Sequence, residues 1–428
     1  MRSVTVLGGG IVGLTLAREL RRRGLDVELL DSRSIGTGAT GASTGILTPP
    51  QHARTPFYQL RTRAWKMWPE YAATLSAESG IDVGYLRCGA VDIRERTIRN
   101  PQRELRKLRD SGGRVEVLSR DQIRQLLPDL VRSPEAGLLV EMEARIDPLA
   151  TIEALRRSCH GAGVKFRENL GPIRIEPIGA GGITLVATGG IELSQPSEQR
   201  SVILAAGWES VSAALAVAPT PLPLEPVPGE AITLDLPAPA HLVHFNLLRD
   251  GFRDPSGNRS IYSWIPAPGG GSWLGNSVAS GHQVASGHQV ASGHQVASGH
   301  QVASGHQVAS GHQVASGHPV TDGDRAAVDR SSDAVEPTAE GREELVEVAR
   351  SIFGEEVESR ITGHRAGIRP KATRHGGPLL GRWPGRPQLW VATGHYRAGL
   401  LIGPATATMV VESMLDGAPI PEEFQLPC

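Results

Sequence analysis

The segment SVTVLGGGIVGLTLARELRRRGLDVELLD at residues 3–31 reads as a strand, a glycine-rich turn, a helix and a second strand that ends in an acid. Its spaced glycines permit a tight turn, the approach of the main chain to a pyrophosphate, and close packing of the helix on the sheet. These are Gly8, Gly10 and Gly13, in that order. Asp31 follows about 20 residues later, where a carboxylate accepts hydrogen bonds from ribose hydroxyls. The segment predicts a dinucleotide-binding unit, and the acid favours FAD or NAD over NADP because it disfavours a phosphorylated ribose.

Length and composition limit the classes of protein to which the chain can belong. Its 428 residues suffice for two domains, and a net charge of −1 provides no basic field for nucleic acid or an anionic membrane. Cys88, Cys159 and Cys428 have no spacing typical of a disulfide framework or a metal site. Because a strand begins at Ser3 and no apolar run approaches about 20 residues, we expect neither a secretory signal nor a membrane span. We therefore expect a cytoplasmic protein, whose oligomeric state, a homo-oligomer included, stays open.

A low-complexity insertion occupies residues 278–318, where the hexapeptide VASGHQ recurs and carries half of the chain's histidines. A period of six gives no apolar stripe on a helix, and a strand of this sequence has only small and polar faces. Weak metal binding by the histidines and a short ordered coil are the alternatives to an inert insertion. The near-identity of the copies indicates recent duplication and favours the inert insertion.

Two further segments decide between the cofactors. SRSIGTGATGASTGILTPP at residues 32–50 is small and hydroxylated, so its main chain can approach a ligand closely. A pyridine-nucleotide disulfide reductase needs a redox cysteine pair near here, and an NAD site needs a second glycine fingerprint; the sequence contains neither. SVILAAGW at residues 201–208 predicts a buried strand that ends in small residues beside the nucleotide, with an ordinary core strand as the alternative. Flavin is therefore the expected cofactor.

Two arginines near the C-terminus lie in apolar, glycine-rich surroundings. Arg369 belongs to AGIRP at residues 366–370, and Arg397 lies in a turn between a predicted strand and a helix that begins near Leu400. Their planar guanidinium groups suit a carboxylate, which predicts an acidic group on the substrate; a structural salt bridge is the alternative for each. His395, in the same turn, is interpreted either as ordering the main chain or as a base.

Together with several further motifs, these residues resemble the FAD-dependent D-amino-acid oxidase superfamily, and glycine oxidases in particular. The resemblance covers nearly the whole chain except the hexapeptide insertion. Its specific motifs are AGIRP at residues 366–370 and GHYRAGLLIGPAT at 394–406. The motifs shared more broadly across the superfamily are SGIDVGYLRCGAVDI at 79–93, ARIDPLATIEALRRSCHGAGV at 144–164, VILAAGW at 202–208 and PVPGE at 226–230.

The resemblance implies an α/β fold in which a Rossmann-like FAD domain of the glutathione-reductase type joins an α+β substrate domain built on an antiparallel sheet. The FAD domain would be discontinuous and would comprise residues 1–84, 145–217 and 362–428. The substrate domain would comprise residues 85–144 and 218–361. The flavin would be held non-covalently, because the chain has no cysteine between Cys159 and Cys428 for the covalent link of sarcosine oxidases.

The resemblance also implies which residues form the site. Arg369 and Arg397 would be the catalytic and substrate-binding arginines, with the substrate carboxylate on Arg369. The cofactor-binding residues would be Gly8, Gly10, Ile11, Val12, Gly13, Asp31, Ser32, Thr40, Ala42, Ser43, Gly45, Ile46, Ile173, Ala206, Gly207, Trp208, Arg369, Gly394, His395, Tyr396, Arg397, Ala398, Gly399 and Leu400. No metal site is expected.

One departure from the family concerns the strand IYSWIP at residues 261–266. Glycine oxidases have a tyrosine three residues before this proline, where its hydroxyl helps to hold the carboxylate. Ser263 occupies that position here, and Tyr262 is shifted onto the opposite face unless a β-bulge restores it. Both are predicted substrate contacts, in a pocket that is wider where the tyrosine is missing.

The activity implied by the resemblance is FAD-dependent oxidation of a small amino acid or N-alkylglycine, in the context of thiamine biosynthesis. The imine product would hydrolyse to an oxo acid, and oxygen would reoxidise the flavin to give peroxide. Hydride transfer from a neutral amine needs no side-chain base, so none is assigned. The alternatives are an amino-acid dehydrogenase, including one that forms hydrogen cyanide from glycine, with another electron acceptor, and a non-catalytic flavin-binding module.

Overall fold

The computed structural model describes most of the chain outside the hexapeptide insertion. The described residues are 3–48, 55–94, 114–131, 134, 136–179, 182–187, 190–193, 200–218, 221–246, 261–267, 269–276, 335–373 and 377–426. The prediction for residues 278–318 lies outside them. All further statements about the structure refer to this described part.

The described chain contains runs of consecutive strands separated by helices. The helices are α1 (Ile11–Arg22), α2 (Pro56–Ser79), α3 (Arg120–Leu126), α4 (Pro148–Gly161), α5 (Ser210–Ala214), α6 (Ala339–Phe353) and α7 (Gly399–Asp416), with 3-10 turns at Gly207–Glu209, Glu355–Arg360, Tyr396–Ala398 and Glu422–Phe424. The strands are β1 (Ser3–Leu7), β2 (Asp26–Leu30), β3 (Ile46–Leu47), β4 (Leu86–Arg87), β5 (Ala90–Arg94), β6 (Val115–Ser119), β7 (Ala136–Val140), β8 (Ala144–Arg145), β9 (Lys165–Arg167), β10 (Ile173–Ile178), β11 (Gly182–Ala187), β12 (Ile191–Glu192), β13 (Arg200–Leu204), β14 (Leu224–Leu234), β15 (Leu242–Asn246), β16 (Tyr262–Pro266), β17 (Ser272–Asn276), β18 (Ile361–Ala372), β19 (Leu379–Trp383) and β20 (Arg386–Thr393).

A six-stranded sheet of order β19-β20-β13-β1-β2-β9 organises the predicted nucleotide-binding segments. Every pairing in it is parallel except β19 with β20. The inner strands are apolar and almost wholly buried, as expected for a parallel sheet with both faces covered. The chain leaves β1 toward β2 on one side, and β13 pairs on the other side. Ligands of open α/β sheets bind at such a switch point, beyond the carboxyl ends of the strands.

An eight-stranded sheet has the order β18-β14-β17-β16-β15-β5-β7-β6 and is mainly antiparallel. Helix α6 covers one of its faces, which we call the helix face; there Ile232, Leu274 and Trp264 pack with Leu345 and Val348 in one apolar cluster. Two three-stranded sheets, β10-β11-β12 and β3-β8-β4, complete the described strands. An α/β fold with a second, mainly antiparallel sheet is therefore confirmed. The domain boundaries stay a prediction.

The last helix corrects the expectation that no apolar run approaches the length of a membrane span. The segment Tyr396–Asp416 is long and apolar enough to cross a bilayer, with a mean hydropathy of 1.4. However, 56% of this apolar stretch is buried in the protein, where α7 packs with α1 and α2. A Cβ atom on Gly403 would lie only 3.2 Å from the Ile11 side chain, so α7 and α1 touch closely. Core packing thus accounts for the apolar character of this helix.

An ion pair between the buried Arg18 and the partly exposed Glu78 lies where α1, α2 and α4 meet. Arg18, whose side chain is 3% exposed, donates to the Glu78 carboxylate at 2.7 Å and to the Ser158 hydroxyl at 3.0 Å. Ser158 in turn donates to Glu78 at 2.7 Å, and the Arg18 guanidinium lies 5.2 Å from the Tyr71 ring centroid. The three helices are therefore connected by a network in which each member compensates the burial of the others.

We expect Glu78→Ala to lower the free energy of unfolding by about 2 kcal/mol, because it leaves the Arg18 guanidinium buried without its carboxylate. The matched control is Glu153→Ala, which breaks an exposed pair with Arg157 on α4 and should cost less than about 0.5 kcal/mol. Urea denaturation followed by circular dichroism measures both. Equal losses in the two variants would contradict a structural role for the buried network.

Candidate active site

The glycine-rich turn after β1 is built so tightly that side chains are excluded. Gly8 has φ 111°, and a Cβ atom there would lie 2.5 Å from the carbonyl oxygen of Ala205 at the end of β13. A Cβ atom on Gly13 would lie 1.8 Å from the Gly8 carbonyl oxygen. These contacts bring α1 directly against the carboxyl end of β1, as the sequence pattern predicted.

The N-terminus of α1 is not capped by the side chain of its own N-cap residue. Gly10 is its N-cap and has no side chain, and the Ile11 N–H donates instead to the Thr40 hydroxyl at 3.1 Å. Val12 and Gly13 complete the first turn, whose N–H groups have no partner within the helix. A helix N-terminus of this kind attracts phosphate. Thr40, although 27 residues beyond Gly13 in the sequence, also lies at the N-terminus of α1.

Asp31 also contacts the glycine-rich turn after β1. Its carboxylate accepts the N–H of Gly9 at 2.5 Å and the N–H of Arg33 at 2.9 Å. Burial raises the pKa of Asp31 to about 6, with a further increase from the nearby Glu209 charge, while the two main-chain hydrogen bonds lower it. At neutral pH the group is therefore an ionised acceptor beside the glycine turn.

The segment after β2 runs beside residues 169–171. Main-chain N–H groups of Asn169, Leu170 and Gly171 donate to the carbonyls of residues 33, 31 and 32. Ser32 donates to Glu209 at 2.7 Å, next to the 3-10 turn that starts at Gly207. The structure thus brings Asp31, Ser32, Ala206, Gly207 and Trp208 to one end of the sheet. The Ile173 side chain is in the apolar core behind them.

Residues 39–46 connect this end to the eight-stranded sheet. A Cβ atom on Gly367 of β18 would lie 2.6 Å from Ala42, and one on Gly275 of β17 would lie 3.4 Å from Thr44. The Ser43 carbonyl accepts from Arg365 of β18 at 3.2 Å. Gly45 has φ 79°, and Ile46 then pairs with Arg145. The predicted cofactor-binding segment therefore lies directly on the sheet face opposite to α6.

The C-terminal turn is strained, and its first two residues, Gly394 and His395, are buried. Gly394 has φ 78°, and Tyr396, which is not a glycine, has φ 52°; such a conformation is uncommon and concentrates at functional sites. His395 is buried, its Nε2 lies 3.2 Å from the Thr406 hydroxyl of α7, and burial lowers its pKa to about 3. His395 is therefore neutral and suits an ordering role better than that of a base. Arg397 is exposed, followed by Ala398 and the first residues of α7, Gly399 and the buried Leu400.

Arg369 lies across the face of the eight-stranded sheet. Its guanidinium reaches over β14 and donates to the carbonyls of Pro228 at 3.2 Å and Asn276 at 3.3 Å. A Cβ atom on Gly229 would lie 2.1 Å from this guanidinium, so a side chain at 229 would displace the guanidinium from this position. Burial and the positive charge of Arg397 lower the pKa of Arg369 to about 10. Arg369 is charged at neutral pH and lies within the electrostatic influence of a second arginine.

The strand at residues 261–266 settles which of its side chains share the face of Arg369. β16 pairs with β15 and β17 without a register shift, so no bulge restores Tyr262. Its ring lies in the cluster on the helix face, and its hydroxyl donates to Glu344 of α6 at 2.5 Å. The substrate-binding prediction for Tyr262 is therefore wrong in this structure. Ser263 faces the other way.

Sequence reasoning missed one acidic and one basic side chain on the face of Ser263. His244 of β15 bonds to the Ser263 hydroxyl at 2.9 Å and to the Glu143 carboxylate at 3.0 Å. Residues 143 and 244 are 101 positions apart and belong to no spaced motif, so only strand pairing could reveal them.

The residues present fit the phosphates and ribose of FAD. The turn excludes side chains at Gly8 and Gly13, α1 presents an N-terminus without a cap from its own N-cap residue, and a buried ionised carboxylate lies beside it. These are the features that a dinucleotide requires.

Comparison with known proteins agrees with this geometry. The model of the FAD dependent oxidoreductase family matches residues 3–413, and the chain therefore belongs to this family. It is 29% identical over 215 residues to one component of the opine oxidase of Rhizobium meliloti, a match that covers 48% of this chain but only 56% of that protein. It is 23% identical to the glycine oxidase of Bacillus licheniformis over 98% of this chain and 94% of the relative.

A solved structure shares the fold over nearly the full length. The glycine oxidase of Geobacillus kaustophilus superposes with a TM-score of 0.72 and 20% identity, covering 100% of this chain and 99% of that one. FAD is accordingly the cofactor of the family to which the chain belongs.

We expect the affinity of the apoprotein for FAD to fall as the pH decreases through about 6, because the Asp31 carboxylate, with its pKa of about 6, is then protonated and accepts fewer hydrogen bonds. Asp31→Asn should bind FAD about 10-fold more weakly at pH 8, the loss of one charge-assisted hydrogen bond, and should lack this pH dependence. Quenching of FAD fluorescence between pH 5 and 8 measures both.

The control is Asp82→Asn, since the exposed Asp82 makes a similar local bond to the Gly84 N–H at 2.8 Å. That variant should keep the wild-type affinity and pH profile. A persistent decrease below pH 6 in Asp31→Asn would contradict the assignment.

Proposed function

We propose that the protein oxidises the C–N bond of a small α-amino acid or N-substituted glycine, using FAD. The observation that supports this most directly is Arg369, whose guanidinium lies on the sheet face against which the cofactor-binding segment packs. A planar, charged guanidinium beside a second arginine attracts a carboxylate. The activities of two relatives, an opine oxidase and a glycine oxidase, agree with a substrate that carries both a carboxylate and a C–N bond.

Binding of the carboxylate would fix the position of the rest of the substrate. The Arg369 guanidinium is held by two carbonyls on β14 and β17 and cannot swing freely. With one end of the amino acid attached there, the α-carbon would lie over the same face, close to residues 42–44. Such fixation replaces a bimolecular encounter by a reaction at a defined distance.

FAD, when bound, supplies the two-electron oxidant that takes a hydride from the α-carbon of the neutral amine. The chain itself then has three tasks: Arg369 orients the carboxylate, Arg397 contributes positive charge, and the buried turn at His395 shapes the site. The buried, neutral His395, with a pKa of about 3, is not assigned a proton transfer. Loss of the hydride and then of one N–H proton to water would leave an imine, which water hydrolyses to an oxo acid and ammonia or an amine.

Reoxidation by oxygen with release of peroxide is part of the proposal, because both named relatives are oxidases. The place in thiamine biosynthesis, the cytoplasmic location and the oligomeric state implied by the sequence stay predictions. Oxygen consumption during turnover would separate an oxidase from a dehydrogenase that uses another acceptor.

We expect glycine, sarcosine or a D-amino acid to bleach the flavin absorbance of the holoprotein under anaerobic conditions. Arg369→Lys should raise KM for that substrate about 10- to 100-fold, because the loss of a charge-assisted fork removes about 1.5–3 kcal/mol. Its FAD content should stay at the wild-type level. Arg174→Gln, which alters an exposed pair with Glu176, is the control and should leave KM unchanged. A flavin that stays oxidised with every amino acid would overturn the proposal.

A further inference from the structure

A line of three side chains, Ser263, His244 and Glu143, extends along the sheet face of Arg369. The Ser263 hydroxyl lies 2.9 Å from Nδ1 of His244, and Nε2 of His244 lies 3.0 Å from the Glu143 carboxylate. His244 and Glu143 are largely buried, with side-chain exposures of 15% and 9%. The three side chains therefore form a hydrogen-bonded polar network in the protein interior, and the mechanism described above does not use this network.

Strand register places this line beside the arginine. The Arg369 guanidinium lies on the side of β14 toward which a Cβ atom on Gly229 would point, and Ala231, two residues further, shares that face. Ala231 pairs with Gly275, Gly275 with Ser263, and Ser263 with His244. Directly paired residues of antiparallel strands share a face. Ser263 and His244 therefore lie on the same face as the proposed carboxylate site.

The spacing of the strands suits a small molecule with one end at Arg369 and the other at Ser263. Arg369 donates to the carbonyl of Asn276 on β17, and Ser263 lies on the adjacent strand beside Gly275. Neighbouring strands are about 5 Å apart, which is comparable with the distance between two carboxylates that flank one amine. Gly275 has no side chain; a Cβ atom there would lie 3.0 Å from Ala231 and 3.4 Å from Thr44, so two small side chains border the space between Arg369 and Ser263.

The charges around His244 decide the direction of its hydrogen bonds. Burial lowers the pKa of His244, but Glu143 and Asp92 outweigh burial and raise that pKa above its ordinary value. On the far side of Glu143, Thr48 donates to the same carboxylate, and Arg61 of α2 donates to the Thr48 carbonyl at 3.2 Å. A protonated imidazole donates at both nitrogens. Ser263 must then accept from Nδ1, which leaves its own hydrogen for a further acceptor.

We propose that Ser263 determines specificity, with His244 and Glu143 as its positioning residues. The Ser263 hydroxyl donates to an oxygen acceptor at the far end of the substrate, and a carboxylate makes the strongest such bond. The preferred substrates are then secondary amines with a carboxylate on each side of the nitrogen. This inference rests on the proposed function, since Arg369 holds the first carboxylate.

The test compares three amines with the flavin-loaded protein. Iminodiacetate has the second carboxylate, N-isobutylglycine has a similar shape without an acceptor, and glycine has neither. Wild type should oxidise iminodiacetate with the highest kcat/KM. Ser263→Ala and His244→Gln should each lower kcat/KM for iminodiacetate about 10- to 100-fold and leave that for N-isobutylglycine within about 2-fold.

Two matched variants control for structural effects. Ser272→Ala removes a buried hydroxyl on the helix face of β17 that has no hydrogen-bond partner in the described part of the chain. His241→Gln changes the histidine just before β15, which bonds to the Cys88 carbonyl. Both should keep the wild-type preference for iminodiacetate, with equal flavin content in all variants.

A pH profile gives a readout that a purely structural role would not produce. As the pH rises through the pKa of His244, the neutral ring keeps one N–H, which Glu143 accepts, and Nδ1 then accepts from Ser263. The hydroxyl can no longer donate to the substrate, so the ratio of kcat/KM for iminodiacetate to that for N-isobutylglycine should fall. His244→Gln should abolish this fall.

The outcomes separate this inference from the proposed function. If wild type prefers N-isobutylglycine, or if Ser263→Ala and His244→Gln keep the wild-type ratio, the specificity role is wrong while amine oxidation stands. If none of the three amines reduces the flavin, both proposals fail.

Discussion

The structure depends on the tight contact between α1 and the end of β1. A single methyl group at Gly13 would lie 1.8 Å from the Gly8 carbonyl oxygen, and one at Gly8 would meet the end of β13. Because these main-chain segments touch, the N-terminus of α1 is directed to the switch point of the parallel sheet. Thr40 and Asp31 then converge on the same turn. The rest of the nucleotide site is arranged around this contact.

The eight-stranded sheet has two faces with different tasks. On the helix face, Tyr262 and Asn276 both donate to Glu344, and this network attaches α6 to the sheet. The opposite face presents Arg369, the glycines at 229 and 275, and Ser263. A slip of one residue in β16 would exchange Ser263 and Tyr262 and bring a core aromatic side chain into the site. The helix-face network therefore also fixes which side chains share the face of Arg369, where the substrate is proposed to bind.

Features that depend on neighbours in sequence could be predicted. The turn at Gly8, the acid at Asp31 and the helix after His395 follow from local backbone geometry and from distances along the chain. The exposed or buried state of each side chain depends on packing, and there the predictions were less complete. The apolar α7 proved to be a core helix, and Tyr262 faces away from Arg369 because β16 has no bulge.

The sequence by itself determined the class of cofactor and the class of fold, because each follows from spaced motifs whose geometry is local or shared by a family. The binding of a carboxylate by Arg369 and Arg397 stays a prediction. Tertiary structure decided which residues face one another. Glu143, His244 and Ser263 come from three distant segments, and only the pairing of β15 with β16 and the packing of residue 143 against them bring the three side chains within hydrogen-bond distance. Strand register is a long-range property that depends on the whole sheet, so no spacing along the chain records it.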